Sequence, residues 1–175
     1  MDDSCRKLLA GALEKHRLCT ETVADVNEKQ EILRQLVEVE EKAWSESALE
    51  VENRPMIYRH LLSHLDDLGL VEERYSACEH DYLKAIAAQR YAELLGTVDD
   101  MAMLMELAVR ANPGLRSFVI LRLQEKLPMA LEKVSAQDIP KWFLHLLAQP
   151  HEVSNFLSQA SCRAVMDKVE VLLAA

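Results

Sequence analysis

Residues 3–53 carry apolar or small side chains at alternating steps of four and three: Cys5, Leu9, Ala12, then Cys19, Val23, Val26, then Leu33, Val37 and Trp44. That 3.5-residue period is the seam of a coiled coil. The same lattice turns polar at His16, Gln30 and Glu40. Such positions either fix register and partner choice or lie where the seam reaches water. Around Ile32, Leu33, Leu36, Val37 and Val39 the apolar stripe widens enough to touch more than one neighbouring helix.

The pattern turns a corner at Glu52-Asn53-Arg54-Pro55. Proline disfavours helix in the residue before it and suits the first turn of a new helix. Beyond it the alternation resumes at Ile57, Leu61, His64, Leu68, Val71, Tyr75, Cys78, Tyr82, Ala85, Gln89 and Ala92. Gly69 falls inside this series without shifting its phase, which predicts one long helix with a weak point, costing about 1 kcal/mol relative to alanine. Gly96 is the stop signal.

Two long helices joined at a tight corner predict an antiparallel hairpin over residues 1–96, its second arm roughly 60 Å long. Facing residues then sum to about 109, so that Val37 meets Val71, Val23 meets Ala85 and Trp44 meets the region of Leu65. Residues 1–13, with Leu8, Leu9 and Leu13, overhang the hairpin.

From Thr97 the texture changes. Thr97-Val98-Asp99-Asp100 reads as a helix start with acids in the first turn. The helix runs to about Ala111, and Asn112-Pro113-Gly114 is a turn. A second helix from Leu115 to about Val134 is expected to bend or break at Pro128. Three short helices follow, over Lys141–Gln149, His151–Ala160 and Cys162–Leu173. The expected fold is therefore all-α: a coiled-coil hairpin over 1–96 and a small orthogonal helical bundle over 97–175.

Composition narrows the function. A net charge of −9 offers no global attraction to nucleic acid or anionic membranes, and basic residues are not interleaved with aromatics. Four glycines leave no material for a phosphate-cradling loop. The amino-terminal stretch MDDSCRKLLAGALEKH lacks the apolar core of a secretory signal, and nowhere do eighteen apolar residues run together. Cys5, Cys19, Cys78 and Cys162 form no C-x-x-C pair, which suits a reducing, cytoplasmic compartment.

Candidate chemistry is sparse. His60 and His64 stand one helical turn apart, a metal-binding spacing, but lack a third and fourth ligand, so a seam role is expected. Met101, Leu104, Met105 and Ala108 share one helical face and read as core, leaving Met103 as an exposed contact. Ile139, Trp142, Phe143, Leu146 and Leu147 crowd large apolar side chains into nine residues, a core helix or a partner groove.

These features predict a non-enzymatic protein-interaction module, an adaptor, tether or assembly subunit, with no catalytic residue, metal or cofactor. Its partners are expected to be other proteins, with no nucleic acid bound and no membrane insertion. Assembly is assigned to Leu9, Leu13, Val23, Leu33, Val37 and Trp44, and docking to Met103, Trp142 and Phe143. The alternatives are a secretion or folding chaperone and a helical-bundle metal-binding protein using His60 and His64.

The overhanging leucines also predict self-association, since apolar surface at the end of a rod recruits another chain. Light scattering of the full chain should give a dimer mass, reduced when residues 1–13 are removed. A monomer at all concentrations, or an unchanged mass after truncation, counts against it.

Overall fold

The computed structural model describes residues 26–45, 54–148 and 157–174. Among them the chain is all-helical, without strands; the one β-type pairing is an isolated bridge between Ser135 and Asp138. The described residues fall into two compact units that divide between Leu94 and Leu95.

The first unit holds α1 (Val26–Ser45), α2 (Arg54–Ser63), α3 (Leu68–Ala77) and α4 (Asp81–Leu95). Helix α1 packs against α2, and the two run antiparallel: Lys29 pairs with Asp66 just beyond the end of α2 at 2.9 Å, while Glu40 meets Tyr58. Those pairs sum to 95 and 98 rather than about 109, so the register is tighter than the sequence implied by about one and a half to two helical turns on each arm. The row of α1 that faces inward is Ile32, Leu36 and Val39, all buried. Leu33 is half-buried, and Val37 is 37% exposed rather than opposite Val71. The stripe is two rows wide, so its period alone does not say which row turns inward. Leu9, Leu13 and Val23, with the proposed overhang, lie outside the described residues, as does the side chain of Trp44.

The single long second arm is replaced by three helices. The first break falls at His64–Asp67. There the amides of His64 and Leu65 bond three residues back, to the carbonyls of Leu61 and Leu62, tightening the last turn. Asp67 then caps α3, its carboxylate accepting from the amide of Leu70 at 3.0 Å. Gly69 thus sits in the first turn of a new helix, where an added Cβ would stand 3.1 Å from the capping Asp67 Oδ1. The carbonyls of Ser63 and Leu65, left without helical donors, are taken up by the Arg90 guanidinium of α4 at 3.0–3.1 Å.

The second break is Cys78–His80. It shifts the buried phase by one residue: Leu83, Ile86, Ala87 and Tyr91 are buried where the lattice had Tyr82, Ala85 and Gln89. Cys78, in the break itself, is buried.

One carboxylate joins three of these elements. Glu40 of α1 accepts from the Tyr58 hydroxyl of α2 at 2.7 Å and from the Arg74 guanidinium of α3 at 2.6 Å. The side chains of the Glu40–Arg74 pair are only 12% and 11% exposed. His80, in the link to α4, meets the Glu40 carbonyl at 3.1 Å. Burial and the Glu40 charge push the Tyr58 phenol above its ordinary range, and burial likewise raises the Cys78 thiol. The polar seam position Glu40 therefore faces in and finds intrachain partners, whereas Gln30 is exposed.

The second unit holds α5 (Met101–Arg110), α6 (Arg116–Lys133), α7 (Lys141–Ala148) and α8 (Gln159–Ala174). Asp100 caps α5, accepting from Ala102 N at 2.8 Å. The turn to α6 closes when Asn112 Oδ1 accepts from Gly114 N at 2.9 Å. Helix α6 buries Val119, Leu123, Leu127 and Leu131, an unbroken step-of-four row. It runs through Pro128 as one helix, so of the expected bend or break the break does not occur. Pro128 lies on the exposed side, where water can serve a carbonyl that has lost its helical donor. Arg122 of α6 is 13% exposed in its side chain and gathers the segment before α5, donating to the carbonyls of Val98 and Gly96 and to Asp99. Helices α5 and α8 pack on α6, and α7 packs on α5.

Removing Arg74 leaves the Glu40 charge enclosed without its counter-ion. Arg74→Ala should destabilise the chain by about 3–5 kcal/mol in denaturant unfolding. The paired change Glu40→Leu with Arg74→Met should recover most of that loss. An Arg74→Ala midpoint equal to wild type would mean that the pair is solvated.

Candidate functional site

Helix α7 is apolar on nearly every side, and α5 covers only part of it. Phe143 and Leu146, three residues apart, are buried and face the core. Trp142 and His145, also three apart, fall on the neighbouring face. The Trp142 ring stands edge-to-face on Phe143, with centroids 5.7 Å apart and planes at 85°, so the buried phenylalanine fixes the orientation of the half-exposed indole.

Helix α5 divides its residues in the same way. Met101, Leu104, Met105, Leu107 and Ala108 are buried. Ala102, Glu106, Val109 and Arg110 are exposed, and Val109 is 43% exposed. The outer face of α5 and the Trp142 face of α7 enclose a groove of about 480 Å³. Its apolar surface comes from Ala102, Met105, Val109 and Trp142, and its polar edge from Glu106, Arg110, Lys141 and His145. Glu106 and Arg110 are paired with each other at 2.9 Å, both well exposed. An apolar floor with a polar rim is the layout of a protein-docking surface, and tryptophan, methionine and arginine are enriched there.

Of the docking residues read from the sequence, Trp142 lines this groove. Phe143 belongs to the core beneath it. Met103 is 39% exposed but does not line the groove. Val109, Lys141 and His145 were not picked out in the sequence: a valine in an apolar helix and charges beside a tryptophan carry no local mark of a shared cavity. Ile139, Leu144 and Leu147 are exposed elsewhere on or beside α7.

A second hollow, of about 400 Å³, lies in the first unit beside Glu40, Glu41, Ala77, Glu79 and His80. Both carboxylate oxygens of Glu40 are already engaged by Tyr58 and Arg74, so its chemistry is spent on holding helices together. His60 and His64 stand edge-to-face with centroids 5.1 Å apart. No group of three or more histidines, cysteines, aspartates or glutamates among the described residues is arranged to hold a metal ion. Cys78 and Cys162 are unbridged. No helix among the described residues is long and apolar enough to cross a membrane. No known family, curated protein or solved structure matches the chain.

The geometry separates neighbouring aromatics by role. Phe143→Ala should cost about 3–5 kcal/mol of stability. Trp142→Ala should cost clearly less, because part of its ring already faces water. Chemical denaturation of both variants measures the difference, and equal losses would place Trp142 in the core.

Proposed function

We propose that this chain is a protein-interaction module without catalytic chemistry of its own, serving as an adaptor, tether or assembly subunit. The observation that carries this reading is the α5–α7 groove: an indole held in place by a buried phenylalanine, an apolar floor extended by Val109 and Met105, and a charged rim. Its polar clusters support the same reading. Glu40 holds both Tyr58 and Arg74, and Arg122 is occupied with backbone carbonyls and acids, which are structural duties.

Affinity purification of tagged protein from its native cell tests the proposal. A partner recovered at fixed stoichiometry with wild type should be lost with Val109→Glu, a substitution at an exposed position that leaves the core intact. Retention of the same partner by Val109→Glu rules the groove out as the docking surface. A changing set of unfolded proteins with no fixed stoichiometry would favour a chaperone instead.

A further inference from the structure

We infer that the occupant of the α5–α7 groove is an amphipathic α-helix from another protein, with acidic residues flanking its apolar stripe; this rests on the reading of the groove as a docking surface. Shape gives the first argument. The lining positions Ala102, Glu106, Val109 and Arg110 repeat along α5 at helical spacing, over about 12 Å or two turns. A groove bounded by two helices and two turns long matches the i, i+3 or i+4, and i+7 anchors of a docked helix. Trp142 and the exposed Val109 supply apolar contacts for such anchors.

Charge gives the second argument. The chain carries a net −9, yet this rim is biased the other way. Glu106 and Arg110 cancel each other on the α5 side. On the α7 side Lys141 and His145 stand one turn apart, and neither side chain has a hydrogen bond or ion pair with any described residue. Two unspent donors on one wall of an apolar groove, in an otherwise acidic protein, select carboxylates on the incoming helix. They would also repel a basic one.

The test uses the full chain and two fluorescein-labelled helical peptides of about sixteen residues. One carries leucines at i, i+3, i+4 and i+7 flanked by glutamates, and its sister has lysines in place of the glutamates. Fluorescence anisotropy should show saturable one-to-one binding of the acidic peptide and binding of the basic peptide weaker by about tenfold or more. Lys141→Glu combined with His145→Glu should reverse that preference. Val109→Glu should abolish binding, and Leu144→Glu, at a site 52% exposed outside the groove, should leave it unchanged. Circular dichroism of each variant confirms that it is folded.

Equal binding of both peptides, still abolished by Val109→Glu, overturns the acidic occupant while the docking surface stands. Absence of acidic-peptide binding, or binding indifferent to Val109→Glu, overturns the inference outright. The native-cell purification then judges the docking reading separately. A full-length dimer that Val109→Glu dissociates gives the groove to a second copy and also overturns it.

Discussion

Every place where a helix stops strands backbone carbonyls, and at three of the corners in this protein arginine side chains collect them. Arg90 takes the carbonyls of Ser63 and Leu65 at the end of α2. Arg122 takes those of Gly96 and Val98 ahead of α5. Arg116 takes those of Val109 and Ala111 at the end of α5. A guanidinium presents several donors in a fixed fork and keeps its charge at any ordinary pH. It can therefore serve two carbonyls that point in different directions after a helix has ended. The corners that make two compact units out of short helices depend on these contacts.

Within the first unit the Glu40 network adds direction to that framework. A buried ion pair is a weak source of net stability, because desolvation offsets most of the attraction. What it contributes here is choice among alternatives. The apolar face of α1 is two rows wide and tolerates more than one rotation, but only one places Glu40 against both Tyr58 and Arg74. In the second unit the corresponding choice falls to the step-of-four row on α6 and to Arg122, which together fix where α5 lies and so where the α5–α7 groove opens.

Much of this was legible in the residue order. Helical periodicity, the helix start at Arg54-Pro55, the Asp100 start, the Asn112-Pro113-Gly114 turn and the buried methionine face of α5 are all local signals, and local physics decides them. The breaks at His64–Asp67 and Cys78–His80 were not legible. Through the first, the four-three alternation keeps its phase, and Gly69 reads as a blemish rather than as the opening turn of a capped helix. The capping arginines were equally hidden, since a guanidinium bound to a carbonyl 24–27 residues away looks, in sequence, like any charge on a solvated face. The groove was half visible: Trp142 announced itself by size and setting, whereas Val109 joined it only through the packing of α7 on α5.

The order of these arginines along the chain bears on how the protein is made. Arg90 and Arg122 each lie 24–27 residues downstream of the carbonyls they serve. At synthesis rates of about 5–20 residues per second, each corner waits roughly one to five seconds for its arginine to be added. During that interval α2 has a frayed end and the approach to α5 has nothing to hold it. The nascent chain therefore acquires its bends in sequence, each one locked by a helix made after it, and a ribosome that stalls between Leu65 and Arg90 holds a helix whose last turn has no cap.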